Sequence, residues 1–275
     1  MSETLVKPAV EEGTLPILTV SGYRAEIRLN RPKVLNRLQP EDVLALRKMF
    51  SQINNNPEIR VLVLTGTGRV FSSGFHLGDL AQRRASSDAP VKAEELQDSP
   101  DNFGAMTVEL ENLRVPTICR LNGSVYGGAT DLALSCDFRI GMQGTEMFMP
   151  AARLGLHYYS EGLVRWSHRL APGAARKLFL TAKTISAEEM LRVGYLTELR
   201  APENLDKTVD EWAENLAAMA PRAVEGMKQA LNEIDRGEFD RVASDARNAA
   251  SLSSEDVREG LAAWHEKRSP VFVGR

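Results

Sequence analysis

Residues Ile118 to Asp137 read ICRLNGSVYGGATDLALSCD and combine a predicted strand, two glycine turns and a predicted helix. The apolar run at 116–121 ends at the turn dipeptide Asn122-Gly123. A glycine pair, Gly127-Gly128, precedes a helix-like run at 129–136. The start of such a helix has free backbone N–H groups and the positive end of the helix dipole. The segment therefore predicts either a place that holds negative charge, as a bound anion or a reaction oxyanion, or simply close packing of helix and strand.

A second strand that runs into a glycine turn occurs earlier in the chain. The run at 60–65, RVLVLT, is rich in leucine and β-branched residues, which is typical of a strand covered on both faces. It leads into Gly66-Thr67-Gly68 and on to Phe75. Because the two units share one order of elements, the sequence predicts repeated ββα turns within one layered core.

The flanking segments carry simpler patterns. Alternating residues at 17–29 predict a β-hairpin, and Pro40 begins an amphipathic helix that ends near residue 54. The polar stretch 81–104 is predicted to be a surface loop of the kind that serves as a lid, with one short helix near 91–96. From residue 205 onward the pattern is helical, and its apolar stripes predict packing faces within the chain or between subunits.

Composition excludes several classes of protein. The net charge of −3 over 275 residues, without a run of Lys or Arg, argues against a nucleic-acid binder. No apolar run approaches the ~20 residues that cross a membrane, and the polar first 13 residues do not resemble a signal peptide. Cys119 and Cys136 lack metal-ligand spacing and are predicted to be buried thiols. We therefore expect a soluble cytoplasmic protein.

Several common site motifs are missing. The sequence has no GxxxxGK[ST] phosphate loop, no HExxH pair, no complete dinucleotide fingerprint and no GxSxG elbow. Zinc-ligand spacing is also absent from the four histidines, so no metal site is predicted: His76, His157, His168 and His265. These absences leave oxyanion chemistry by backbone amides, with side chains that supply protons.

Five segments, in the same order, resemble motifs of the crotonase family, the enoyl-CoA hydratase/isomerase superfamily. They are Asn30-Arg31-Pro32 with Leu35-Asn36 (family NRPxxLN), 62–77 (the first oxyanion segment), 115–137 (VPxIAxVNGxAxGGGxELALxCD), 180–194 (LTGxxIxAxEAxxxGL) and 270–275 (PxFxGR). Together they span nearly the whole chain.

The resemblance implies an α/β fold, a crotonase-like spiral of ββα turns over residues 1–205. It also implies a C-terminal helical trimerisation region over residues 206–275, and hence a homotrimer or a dimer of trimers. The expected substrate is an acyl-CoA thioester, and no separate cofactor is expected because coenzyme A is part of the substrate.

The resemblance also assigns binding roles to individual residues. The thioester oxygen would be held by the backbone N–H groups of Phe75 and Gly128, which form the oxyanion hole. Phe75 replaces a more usual alanine and would narrow the acyl pocket. Further substrate contacts are expected at Ser73, His76, Leu77, Gly127 and Tyr158.

The chain departs from the family pattern at both catalytic carboxylates. Hydratases of this family place one glutamate after the glycine pair and a second in a PExxLG segment. Here the first position is Asp131 and the second is Ala151, which cannot transfer a proton. Three residues are candidate acid–base groups: Asp131, His157 and Glu161. The alternative for Asp131 is a first-turn carboxylate that only interacts with the helix dipole, and the alternative for Glu161 is a solvated carboxylate in the first turn of its helix. The alternative for His157 is a hydrogen-bonded residue of the pocket wall.

Two functions remain open at this stage. The first is an acyl-CoA enzyme that stabilises a thioester enolate, with hydration, isomerisation, retro-addition and thioester hydrolysis as the possible reactions. The second is a non-catalytic acyl-CoA-binding homologue that has lost catalysis with the glutamate at Ala151. A dehalogenase-like enzyme needs an aspartate at 156–160, where this chain has none.

Overall fold

The computed structural model of the protein describes residues 13–75 and 102–275. Within these residues, six strands form one sheet and four form a second. The first sheet has the order β1 (Ile17–Ser21), β2 (Arg24–Leu29), β3 (Val61–Gly66), β5 (Thr117–Leu121), β7 (Phe138–Met142) and β10 (Glu198–Arg200). The second has the order β4 (Val70–Ser72), β6 (Ser124–Tyr126), β8 (Glu146–Phe148) and β9 (Ile185–Ser186).

From β3 to β8, consecutive strands alternate between the two sheets, which produces the spiral. Strands β3, β5 and β7 are parallel neighbours in the first sheet. The strand that follows each of them, β4, β6 and β8, joins the second sheet, again in parallel. The antiparallel hairpin β1–β2 extends the first sheet at one edge, as predicted.

Helices within the described residues pack on the sheets and on one another. They are α1 (Pro40–Asn54), α2 (Phe103–Glu111), α3 (Gly128–Leu134), α4 (Ser160–Arg169), α5 (Ala174–Thr181), α6 (Ala187–Arg192), α7 (Leu205–Ala217), α8 (Pro221–Arg236), α9 (Arg241–Leu252) and α10 (Glu255–Glu266). Short 3₁₀ turns occur at Pro32–Val34, Ala151–Leu154 and Pro202–Asn204.

Strand β3 divides its side chains between two hydrophobic clusters. Leu62 and Leu64 belong to the main core. Val61 and Val63 face the other way and pack with Val209 of α7. This alternation follows from the two-residue period of a strand, and it confirms the prediction of a strand covered on both faces. The first C-terminal helix is therefore part of the sheet packing, while the division of the chain near residue 205 stays a prediction.

Other sequence predictions can be compared with the observed elements. Helix α1 has the predicted bounds, and both cysteines are free and buried as predicted. Strand β6 was missed because its three residues lie between two glycine turns. Helix α2 begins inside the predicted loop 81–104, whose earlier residues, including the predicted helix at 91–96, lie outside the described residues. Among the helices of the described part, none is long and apolar enough to span a membrane.

Candidate active site

The two glycine turns lie directly against each other. Gly74, which follows β4, has a φ of +91°, and a Cβ on it would lie 2.7 Å from Tyr126 O and 3.0 Å from Gly128 N. Only glycine permits this approach, since a side chain would meet backbone atoms that cannot move aside. Because Gly74 has no side chain, the first glycine turn can lie in contact with the start of α3.

The contact brings the N–H groups of Phe75 and Gly128 into one neighbourhood. A Cβ on Gly128 would lie 3.8 Å from the Phe75 Cβ. The two segments are fixed by Leu38 N–H, which donates to Gly74 O at 2.9 Å, and by Gly127 N–H, which donates to Phe148 O at 2.8 Å. Neither the Phe75 nor the Gly128 N–H donates to an atom of residues 13–75 or 102–275. Within the described residues, both N–H groups are therefore without a hydrogen-bond acceptor.

Aromatic rings surround this pair of donors. The Phe75 and Phe103 rings are 6.0 Å apart in an edge-on arrangement, and Phe103 contacts Tyr159 at 5.9 Å. Tyr159 stacks on Tyr158 at 4.5 Å. Phe103 Cζ lies 3.5 Å from the position of a Cβ on Gly128. The arrangement gives the donors an apolar wall, which strengthens any electrostatic contact made there.

Asp131 lies one helical turn beyond Gly128 and has no exposed surface. Its Oδ2 accepts from Arg165 Nη1 at 2.5 Å and from the Tyr159 hydroxyl. Its Oδ1 is buried and has no hydrogen-bond partner among the described residues. The Trp166 indole N–H lies close enough to lower the pKa of Asp131, but it makes no hydrogen bond of normal geometry within the described chain.

Behind Asp131, a buried ion network reaches the C-terminal helices. Arg165 Nε pairs with Glu111 Oε1 at 3.1 Å, and Arg169 pairs with the same oxygen at 2.9 Å. Asn232 of α8 donates to Glu111 O at 2.8 Å. The network ties α2, α3, α4 and α8 together around the Asp131 carboxylate.

Burial shifts the pKa values of Asp131 and Tyr159. It raises the pKa of Asp131, against the lowering effects of the Arg165 charge and the Tyr159 hydrogen bond. Burial and the nearby Asp131 charge raise the pKa of the Tyr159 phenol well above its ordinary value. At neutral pH the phenol therefore keeps its proton and donates a hydrogen bond to Asp131.

These features agree with a comparison of the whole chain with known proteins. A sequence model of the family described as enoyl-CoA hydratase/isomerase matches residues 23–275. The chain belongs to the enoyl-CoA hydratase/isomerase family. Its fold as a crotonase-like spiral is accordingly confirmed.

Relatives within the family cover the chain almost completely. Carnitinyl-CoA dehydratase of Salmonella typhi is 32% identical over 265 residues, which are 94% of this chain and 98% of that protein. The solved enoyl-CoA hydratase of Bacillus anthracis is 26% identical with a TM-score of 0.82, over 95% of this chain and 100% of its own. An enoyl-CoA hydratase/carnithine racemase of Magnetospirillum magneticum, at 24% identity and a TM-score of 0.87, shares the fold over 95% of this chain and 96% of its own.

The family's two carboxylate positions have different surroundings here. Asp131 is locked in the ion pair described above. Ala151 begins the 3₁₀ turn Ala151–Leu154 and is 8% exposed, within the hydrophobic core. A carboxylate contribution from that second position is therefore absent.

The structure places the other predicted site residues at different depths. His157 is exposed and its Nδ1 lies 2.7 Å from Tyr158 O, while Glu161 is exposed in the first turn of α4. Tyr158 is partly buried, and its hydroxyl has no hydrogen-bond partner in the described part of the chain. Ser73 lies beside the first turn, where its N–H donates to Leu35 O at 2.8 Å. His76 and Leu77 lie outside the described residues.

Sequence reasoning missed the residues that surround Asp131. Tyr159, Arg165 and Glu111 were not among the predicted site residues. A signal for Arg165 existed, because it lies with Gly162 and Trp166 on the buried face of α4. An arginine on an apolar helix face needs a buried acidic partner.

Proposed function

We propose that the protein is an enzyme that acts on acyl-CoA thioesters and stabilises an enolate at the Phe75 and Gly128 N–H groups. The observation that carries this proposal is the contact between the two glycine turns, which leaves both donors side by side. Membership of the family supplies the substrate class, and the relatives named as an enoyl-CoA hydratase and a carnitinyl-CoA dehydratase favour hydration or dehydration over isomerisation.

The two donors suit an oxygen that gains negative charge during the reaction. One of them begins α3, so the helix dipole adds to the hydrogen bond. Donors aimed at such an oxyanion typically contribute about 3–4 kcal/mol each to the transition state. Because both are backbone groups, Phe75 in place of alanine leaves this chemistry intact.

The proton steps fall to the neighbourhood of Asp131. Ala151 offers no acid or base, and the side chains of His157 and Glu161 are exposed rather than buried beside Asp131. Among the described residues, Asp131 is the carboxylate one helical turn from Gly128, and its raised pKa suits a group that gains and loses a proton. Ser73, Gly127 and Tyr158, with His76 and Leu77, complete the proposed substrate contacts.

We further propose a homotrimer or dimer of trimers in the cytoplasm, with coenzyme A entering only as part of the substrate. Exposed apolar side chains on the C-terminal helices support an assembly, because isolated chains seldom expose so many large apolar groups. They include Leu231 (61% exposed), Val242 (79%), Leu261 (67%) and Trp264 (85%).

The test is crotonyl-CoA hydration by the purified protein, with acetyl-CoA binding measured by calorimetry in parallel. Hydration with saturable kinetics supports the proposal. Failure to bind acetyl-CoA or any other acyl-CoA would refute it.

A second candidate function is a non-catalytic acyl-CoA-binding protein. It is favoured by Ala151 and by the ion pair that holds Asp131 away from solvent. Tight acetyl-CoA binding without turnover of crotonyl-CoA would support this candidate. Turnover that is lost in Asp131→Asn would eliminate it.

A further inference from the structure

We propose that Tyr159 is the residue that exchanges protons with the acyl-CoA substrate. Asp131, which is hydrogen-bonded to Tyr159, accepts a proton from it and later returns that proton. This inference rests on the proposed acyl-CoA chemistry and assigns its missing acid–base group. In this proposal, one tyrosine–aspartate relay transfers the protons that two carboxylates would otherwise transfer directly.

The first argument is access. Asp131 has no exposed surface, so a substrate cannot touch its carboxylate. Tyr159 is partly exposed, and its hydroxyl donates to Asp131 Oδ2. Tyr159 is therefore the residue that links the fully buried carboxylate to a partly exposed part of the chain.

The second argument is position. Tyr159 packs edge-on against Phe103, whose ring lies over Gly128. Asp131 follows Gly128 by three residues, on the same side of α3 and about 4.5 Å further along its axis. The reacting α- and β-carbons of an enoyl thioester are two and three bonds from the oxygen held at Gly128. Because the Tyr159 hydroxyl is bonded to Asp131, one helical turn from Gly128, we infer that the phenol lies within the reach of these carbons.

The third argument is the chemical balance of hydration. Water forms a C–O bond to the β-carbon, and the electron pair of the C=C bond moves toward the thioester, whose oxygen becomes the enolate oxyanion. One proton of that water passes to the Tyr159 oxygen while the phenolic proton passes to Asp131 Oδ2. In the second step Asp131 returns its proton to Tyr159, the phenolic proton goes to the α-carbon, and the enolate reverts to the thioester. The net change is addition of one water, and the reverse sequence is dehydration.

Arg165 is a positioning residue in this scheme. Its Nη1 holds Oδ2 at 2.5 Å and its Nε is held by Glu111, so the carboxylate keeps one orientation toward Tyr159. The pKa of Asp131, raised by burial, makes it a better proton acceptor than an ordinary aspartate. The high pKa of the Tyr159 phenol means that both protons move together, without a lasting phenolate.

The test compares Tyr159→Phe with Tyr195→Phe. Tyr195 is a matched control, because its buried hydroxyl donates to Thr130 O of the same helix at 2.8 Å but has no role in the relay. Two rates are measured: hydration of crotonyl-CoA, and incorporation of deuterium at the α-carbon of butyryl-CoA in D₂O. We expect Tyr159→Phe to lower both rates about 10²–10⁴-fold with acetyl-CoA affinity unchanged, and Tyr195→Phe to leave them near wild type.

A structural role is separated from a relay by the double variant Asp131→Asn/Tyr159→Phe. Members of a relay act as a unit, so the double variant loses no more kcat than the worse single variant, whereas independent roles multiply. If Tyr159→Phe does not fold, incorporation of 3-fluorotyrosine at position 159 keeps the ring while lowering the phenol pKa, and kcat changes only if that proton moves.

The outcomes separate the two proposals. A Tyr159→Phe protein with wild-type hydration and exchange rates overturns the relay and leaves the proposed function standing. Wild-type protein that neither binds acetyl-CoA nor turns over crotonyl-CoA refutes the proposed function itself.

Discussion

Arg165 Nη1 donates to Asp131 Oδ2 at 2.5 Å, and the two side chains are 2% and 0% exposed. A buried carboxylate of this kind depends on its cation, because each charge has lost its hydration and regains stability only from the other. The pair extends to Glu111, which Arg165 and Arg169 both contact. Its removal affects the stability of the fold as well as the site.

Arg165→Met is expected to lower the free energy of unfolding by about 3–5 kcal/mol, since it leaves the buried Asp131 carboxylate without its charged partner. Lys177→Met is the matched control, because Lys177 pairs with Glu189 at 2.7 Å but is 46% exposed, and such surface pairs contribute about 1 kcal/mol or less. Urea denaturation at one fixed protein concentration measures both. Equal losses in the two variants would contradict a structural role for the buried network.

The pH dependence of kcat/KM should reflect the raised pKa of Asp131. The proposed relay needs the ionised carboxylate, so kcat/KM falls as pH drops through the pKa of this group. Because burial raises that pKa, the acid limb lies above the ordinary aspartate value of 3.8. Profiles of wild type and Asp131→Asn are compared, and a residual acid limb of the same midpoint in the variant would show that another group is titrating.

The free energy of unfolding also depends on pH through the protonation of Asp131, and the sign of this dependence follows from its raised pKa. The folded state binds the Asp131 proton more tightly than the unfolded chain, because the folded pKa is raised. The contribution of this group is therefore most favourable below the unfolded pKa, and it declines as pH rises from the unfolded to the folded value. Urea denaturation across acidic pH, with Asp131→Asn as reference, should show this decline in the wild type only; the opposite slope would mean a lowered pKa.

Gly74→Ala should separate the two oxyanion segments. The new Cβ would lie 2.7 Å from Tyr126 O and 3.0 Å from Gly128 N, so one donor must shift. We expect a fall in kcat of about 10²–10³-fold, as for loss of an oxyanion donor. Gly144→Ala is the control: its φ of +78° imposes similar strain, about 1–2 kcal/mol, but nothing lies within 4 Å. A Gly74→Ala protein as active as Gly144→Ala would place the oxyanion elsewhere.

Phe75→Ala should widen the acyl pocket without loss of the oxyanion donor. The Phe75 ring stands beside Phe103 next to Gly128, so its removal makes room for a longer chain. We expect the kcat/KM ratio of octenoyl-CoA to crotonyl-CoA to rise about tenfold or more. Phe138→Ala removes a ring that packs on Trp212 at 4.8 Å, on the α7 side of the sheet. The ratio should not change in that variant, and an equal change in both would remove Phe75 from the pocket wall.

Patterns of short range along the chain were readable without coordinates. The hairpin at β1–β2, helix α1 and the doubly covered strand β3 follow from residue periodicity and turn residues, which act locally. The order of strand, glycine turn and helix likewise indicated the oxyanion segments. Strand β6 escaped because three residues between glycines carry too little pattern, and it exists only through pairing with β4 and β8.

The sequence by itself determined the spiral core and the two glycine turns, and it has an alanine at position 151, where the resemblance implies a second carboxylate. What only the tertiary structure decided is the environment of Asp131. Tyr159 and Arg165 are 28 and 34 positions away in the chain, and both contact the carboxylate because α3 and α4 pack together. Glu111 of α2, 20 positions away, holds Arg165 in turn. The pKa of a group and its access to substrate depend on burial and on neighbours in space, so neither could be read from residue spacing.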